Sequence, residues 1–343
     1  MKILLIGGTG LISTAISQQL IAEGHDLTLY NRGETEPRLP KAYRAIKGDR
    51  NNLKNFERQM SELGNFDAVI DMICFHPKQA ESDIRAFKGR IGQLIFCSTV
   101  DVYTKPPATF PVVESHERKS CTDYGRDKAK CEDLFLSAQD EAGFPVTIIR
   151  PASTYGEGGT IIHSLGWETY FLDRIKKGLP IIVHGDGEAL WVSCHVDDVG
   201  RAFVNAIGNQ KTYGKAYHVT GDQWQTWNQY HQRLAEAIEA PEPNLVHIPA
   251  DFLVRALPEE ATITYLNFQY TNIFDNSAAK SDLGLEQTID WKTGAKRTYD
   301  WLVEQDRIDD WRGFPLYDRV IEGYKKQAHE LLVSLSNLNK RRN

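Results

Sequence analysis

Lys2-Ile3-Leu4-Leu5-Ile6-Gly7-Gly8-Thr9-Gly10-Leu11-Ile12-Ser13 is the stretch that decides the fold. Ile3 to Ile6 is a short unbroken apolar run, as a strand buried on both faces requires. Leu11, Ala15, Ile16, Leu20 and Ile21 then recur at helical spacing, and Gly24 stops the helix. Asp26 to Tyr30 reads as the next strand, so strand, turn, helix and strand form a βαβ unit. Glycine lets the turn bend tightly and lets its backbone approach a pyrophosphate. The helix behind it offers free N–H groups and the positive end of a dipole. In this context the cluster favours dinucleotide binding over a bare turn.

The alternation continues outward. Tyr43–Lys47, Ala68–Met72, Leu94–Cys97 and Val146–Arg150 read as strands. Leu53–Leu63, Lys78–Lys88 and Tyr124–Ala142 read as the intervening helices. This rhythm predicts an α/β fold with a doubly wound parallel sheet of the Rossmann type. It breaks after Arg150, where a glycine-rich loop follows. Helices are expected at Glu168–Lys177 and Val196–Ile207, then a mixed region over residues 222–300. In the last segment Val320, Ile321, Tyr324, Ala328, Leu331, Leu335 and Leu338 share one helical face. That stripe is expected to pack on the body, and Lys340-Arg341-Arg342 to form a solvated tail.

Composition narrows the function. A chain of 343 residues suits one large and one small domain. Its net charge of −6 lacks the basic footprint of a nucleic-acid binder. The five cysteines, an odd number without a CxxC pair, read as free thiols in a reducing compartment. The N-terminal apolar run is too short for a signal peptide, and no stretch is long enough to span a bilayer. A cytoplasmic protein without a membrane or nucleic-acid partner is expected. The histidines show no metal-ligand constellation. His76, in a loop beside the expected site, reads as a substrate contact or a solvated residue, and His184 and His195 as structural.

The end of the second strand meets the cofactor ribose. A carboxylate there would bind the 2′-hydroxyl of NAD, but this chain has Tyr30-Asn31-Arg32-Gly33. Arg32 suits the 2′-phosphate of NADP, and NAD held by Asn31 is the alternative. Asp49 is placed to accept from the adenine amino group, or is a plain loop residue. Further along, Tyr124-Gly125-Arg126-Asp127-Lys128 puts a phenol and an ammonium on one helical face. A nearby lysine stabilises the phenolate and lowers its pKa, so that Tyr124 can exchange a proton with an alcohol or ketone. Ser98 and Thr99 end an apolar strand where ligands bind in open α/β sheets. Ser98 is assigned a structural role and Thr99 the orienting of the substrate oxygen.

In order along the chain, these motifs resemble the extended short-chain dehydrogenase/reductase family, including its NAD-dependent epimerases and dehydratases. Residues 96–103 resemble its strand-end motif, Arg150–Gly156 its RPxxxYG, and His195–Val199 its hVDDv. The spacing from Thr99 to Tyr124 also matches the family. The resemblance implies a dinucleotide domain over residues 1–155 plus about 192–220, and a substrate domain over about 156–191 and 221–343. It implies Thr99, Tyr124 and Lys128 as the catalytic set, with Lys128 on the nicotinamide ribose. Cofactor contacts are expected from Gly7, Thr9, Gly10, Leu11, Ile12, Asn31, Arg32, Asp49, Met72, Tyr124, Lys128 and Pro151. The cofactor is NADP or NAD, the substrate is sugar-like, and a homodimer is common in such proteins.

Departures bear on the substrate. Ser13 replaces a third glycine, and Ile73-Cys74 stand where small residues often flank the cofactor. Val100-Asp101 replaces the Asp-Glu of sugar-nucleotide dehydratases, which disfavours dehydration. Trp191 stands where nucleotide-sugar epimerases place an arginine on the substrate diphosphate; it can stack on a sugar or serve the core. Two functions follow. One is an oxidoreductase or epimerase working by hydride transfer. The other is a non-catalytic RNA-binding or metabolite-sensing protein on the same fold, resembling the atypical branch that contains chloroplast stem-loop-binding proteins.

Overall fold

The computed structural model describes residues 1–340. Its first half alternates strand and helix. The strands are β1 (Lys2–Ile6), β2 (Asp26–Asn31), β3 (Arg44–Lys47), β4 (Ala68–Asp71), β5 (Leu94–Cys97) and β6 (Val146–Pro151). The helices are α1 (Leu11–Ala22), α2 (Leu53–Glu62), α3 (Pro77–Phe87) and α4 (Asp123–Ala142). The second half adds β7 (Ser153–Tyr155), α5 (Tyr170–Lys176), β8 (Ile181–His184), β9 (Leu190–His195), α6 (Val196–Ala206) and β10 (Lys215–Val219). It ends with β11 (Trp224–Thr226), α7 (Trp227–Ala237), β12 (Leu245–Ile248), α8 (Ala250–Ala256), α9 (Pro258–Ile263), α10 (Ser277–Leu283), α11 (Trp291–Glu304) and α12 (Leu316–Lys340).

Seven strands form one parallel sheet in the order β10-β6-β5-β4-β1-β2-β3. Ile6 lies opposite Tyr30 on one side and Asp71 on the other. Strand order reverses between β1 and β4, and the crevice outside their carboxyl ends is where such sheets bind ligands. Two cores cover the sheet's faces. Ile16 and Leu20 of α1 pack with Val199 and Phe203 of α6 on one face. Phe56, Phe87 and Phe135 of α2, α3 and α4 pack on the other. A third core, around Phe171, Trp227, Leu234 and Trp291, belongs to the smaller part.

One buried charge network ties α4 to the sheet. Glu132 is fully buried and accepts from Arg150 Nε (2.8 Å) and Nη2 (2.6 Å) on β6. It also accepts from Ser98 Oγ (2.5 Å) after β5 and from Arg118 Nη1 (2.8 Å). Arg150 Nη1 donates to Tyr103 Oη (2.5 Å), which contacts His218 Nε2 (2.5 Å) on β10. Every member is satisfied by another, the condition for tolerating charge in an interior.

Two features depart from the sequence reading. Helix α10 puts Ala279 and Leu283 into the dinucleotide-side core, so residues 277–285 join that side rather than the substrate part. The division otherwise stands as our proposal. Among the described residues, helix α12 packs through its first half and not its second. Tyr317 and Ile321 are buried and Tyr324 half-buried, whereas Leu331 (60%) and Leu335 (47%) are exposed. The stripe runs on past the end of the surface it docks on. Arg341 and Arg342 of the expected tail lie outside the described residues, as do the side chains of Leu338 and Lys340.

Glu132→Gln removes the charge that neutralises buried Arg150. Urea unfolding should show a loss of about 3–5 kcal/mol. Replacing both partners by Leu and Met should recover a large part of it.

Candidate active site

Two cavities open at the carboxyl ends of the strands. The first, of about 370 Å³, lies over the turn that joins β1 to α1. Gly7, Thr9 and Gly10 form one wall, and Asn31, Arg32 and Asp49 another. Six expected cofactor residues therefore meet in one place. Leu11, Ile12, Met72, Tyr124, Lys128 and Pro151 do not line it. Gly7 adopts a positive φ (+86°), and a Cβ there would come within 2.6 Å of Ile73 Cγ2. Ile73 thus packs directly on the turn. Cys74 points away and is fully buried.

Ser13 does more than tighten packing. Its hydroxyl accepts from Gly10 N (2.8 Å), capping the turn that begins α1. Asn31 accepts from Gly33 N (2.9 Å), and Asp49 from Asn51 N (2.9 Å). A carboxylate does reach this end of the cavity, although Tyr30-Asn31-Arg32-Gly33 itself carries none. Glu34 lines the same cavity and pairs with Arg32 at 3.0 Å. Arg50, which sequence reasoning missed, forms part of the floor. It is buried and bonds Asp71 Oδ2 (3.3 Å) and Asp83 Oδ1 (2.7 Å). Asp71, Cys74 and Asp83 have the proximity of a metal-ligand group. The Arg50 guanidinium supplies the positive charge there instead.

The second cavity, of about 400 Å³, holds the expected catalytic hydroxyls. Thr99 and Tyr124 both line it, with Asp101, Thr122, Trp191 and Phe268 among their neighbours. Thr99 follows β5 and caps a short 3-10 turn by accepting from Asp101 N (3.1 Å). Thr122 caps α4 by accepting from Gly125 N (2.9 Å) and donates to Asp101 Oδ2 (2.5 Å). Gly125 is required by closeness: a Cβ there would fall 2.2 Å from the Asp101 carbonyl oxygen. Its absence lets the first turn of α4, which carries Tyr124, lie directly on the Asp101 backbone.

Tyr124 is 46% exposed over its whole side chain, yet burial at its hydroxyl raises the phenol well above its ordinary pKa. Cys97 and Asp101 add to the rise, and a hydrogen bond with Thr99 opposes it. This corrects the expectation of a phenol lowered by Lys128. The Lys128 ammonium is buried and donates to the Cys97 carbonyl (2.7 Å), 5.9 Å from the Tyr124 ring centre. Phe75 of the first cavity covers it at 4.8 Å and lies 6.3 Å from the Tyr124 ring. Phe75 therefore stands between the first cavity and the Tyr124 ring of the second.

Ser98 is buried and bonded to Glu132. His76 pairs with Asp127 Oδ2 at 2.9 Å and lines neither cavity. His184 is buried, bonding Ser164 Oγ and the Phe268 carbonyl. His195 caps α6. Asn267, Phe268 and Asn272, which the sequence left in a mixed region, line the second cavity. The first two sit in a π-helical turn after α9, a deformation that often marks functional sites.

Residues 3–220 match the family described as NAD dependent epimerase/dehydratase family. The chain belongs to that family. A 2'-dehydrokanamycin reductase of Streptomyces kanamyceticus is 26% identical over 275 residues, covering 80% of this chain and 77% of that protein. The chloroplast stem-loop binding protein of 41 kDa b of Arabidopsis thaliana is 30% identical over 265 residues, covering 73% of this chain and 67% of that protein. Among solved structures, UDP-glucose 4-epimerase from Bifidobacterium longum in complex with NAD+ and UDP superposes with a TM-score of 0.70. It is 18% identical, over 90% of this chain and 100% of that one. The family's Rossmann fold is thus present, and no described helix is long and apolar enough to cross a membrane.

Gly125→Ala should push the first turn of α4 off the Asp101 backbone. Turnover should fall about tenfold or more, while cofactor-induced thermal stabilisation persists.

Proposed function

We propose that this chain is an NADP(H)-dependent reductase of a ketone on a sugar-like substrate. The observation that carries the reading is the meeting of Thr99 and Tyr124 on the wall of a cavity beside the dinucleotide cavity. Thr99 orients the substrate oxygen and Tyr124 gives it a proton. The phenol is protonated at neutral pH with or without the rise that burial gives it, as a proton donor in the reductive direction must be. Lys128 fixes the end of β5 through the Cys97 carbonyl and holds positive charge behind the phenol.

The first cavity fits a dinucleotide. The glycine turn gives close backbone approach, α1 directs its N-terminus at the cavity, and Asp49 stands at the far end. Bound there, the nicotinamide supplies the hydride. Arg32 favours NADP: its exposed pair with Glu34 is worth at most about 1 kcal/mol, and a 2′-phosphate is the stronger partner. The five cysteines are all free thiols, which suits a reducing, cytoplasmic setting.

The RNA-binding reading has a relative behind it in the stem-loop binding protein. A net charge of −6 and the presence of Thr99, Tyr124 and Lys128 together weigh against it.

Tyr124→Phe should keep NADP-induced thermal stabilisation and lose about 10²–10⁴ in NADPH oxidation rate with a ketone substrate. Full activity in that variant would sink the catalytic reading. With the phenol protonated throughout, the wild-type reductive rate should stay level between about pH 6 and 9. The reverse oxidation should rise with pH over the same range. Arg32→Ala should raise KM for NADPH and leave that for NADH unchanged.

A further inference from the structure

We propose that the substrate is a cationic, amine-bearing glycoside and not a nucleotide sugar. This rests on the reading of the Thr99–Tyr124 cavity as the hydride-transfer site. Among the described residues, no lysine or arginine lines that cavity, and Asp101 is its one charged side chain. Lys105 is buried nearby and is taken by others: it bonds Asn267 and Asn272 Oδ1 (2.8 Å) and stands 3.6 Å from Asp101. Trp191 is packed between Trp227 and Phe268, with ring centres 5.0 and 5.1 Å away. A diphosphate placed here would lose water without gaining a cation. A sugar ring finds aromatic faces to stack on.

The argument for positive charge comes from a larger cavity next door. It measures about 760 Å³ and meets the Thr99–Tyr124 cavity at Trp167 and Ile263, which line both. Glu168, Glu259, Glu260, Asp309 and Asp310 line it, and no lysine or arginine does. Asp310 is paired with Arg312 at 2.5 Å. Among the described residues the other four carboxylates have no ion-pair partner; Asp309 accepts only from Thr169. Glu259 and Glu260 have a second use, since acids in the first turn of α9 favour its dipole. That use does not extend to Glu168 or Asp309, which come from separate segments. An independent observation points to a ligand. Tyr170 also lines this cavity, is only 6% exposed, and its hydroxyl has no hydrogen-bond partner. The inner cavity would hold the ring that is reduced, and the outer one the ammonium-bearing rings attached to it.

The test is binding to the full chain loaded with NADP+, followed by titration calorimetry. The probes are kanamycin (an amine-rich glycoside), maltotriose (neutral) and UDP-glucose (anionic). Kanamycin should bind at least about tenfold more tightly than maltotriose, more weakly as salt rises, and UDP-glucose should not saturate. Glu168→Gln, Glu259→Gln and Glu260→Gln combined should weaken kanamycin about tenfold or more and leave the NADP+ thermal shift unchanged. UDP-glucose binding at least as tightly as kanamycin would overturn the proposal. So would a triple variant that binds kanamycin like wild type, or no binding by kanamycin at all. The readout needs no hydride transfer, so it is separate from the Tyr124→Phe result: normal turnover in that variant would overturn the catalytic reading alone.

Discussion

The buried pair of Glu132 and Arg150 is the constraint on which the site depends. Helix α4 carries Tyr124 and Lys128 near its start and Glu132 one turn beyond Lys128. Arg150 closes β6, and Ser98 follows β5, so the carboxylate holds helix and both strand ends to one point. Charges taken out of water are held firmly only when their geometry is complete. This one is complete: it reaches through Tyr103 to His218 on the outermost strand. The position of the phenol is thus set from below, by a network that touches neither cavity.

From above, the position is set by close contact. Thr122 caps α4 and restrains Asp101, while Gly125 lets the helix meet the Asp101 backbone. The N–H of the same residue, Asp101, is fixed by Thr99. Capping, close approach and substrate orientation are therefore carried by one short stretch of contacts. Lys128 completes it from the interior by holding the Cys97 carbonyl, two residues before Thr99.

Much of this was legible in the sequence because it is local. An apolar run, a glycine turn and a helical repeat all lie within residues 2–22, and β1 and α1 follow them closely. The Thr99–Tyr124 meeting was legible because strand ends and helix starts have fixed places in this topology. What the sequence hid is long-range. Glu34 faces the cavity only because the loop after β2 folds back on Arg32. Asn267 and Phe268 reach the substrate cavity through a π-helical turn, which no hydrophobic period announces. The pKa of Tyr124 could not be read from the presence of a lysine four residues on, since the ammonium is committed to a carbonyl and burial prevails. The stripe on α12 gave the right element but not its length of contact, because periodicity does not say where the supporting surface ends.

The floor of the dinucleotide cavity has a consequence for how such a chain can change over generations. Arg50 lies over the Phe56 ring at 4.1 Å and is shared by Asp71 and Asp83, all three shut away from water. Loss of the arginine strands two acids in the interior, and loss of Asp83 strands part of a guanidinium. Neither position is free to drift alone. Arg50 and Asp83 form one heritable unit across β3–α2 and α3, exchanged together or kept together. Arg32 and Glu34, on the rim of the same cavity and open to solvent, are under no such bond, so cofactor preference can shift while the floor beneath it stays fixed.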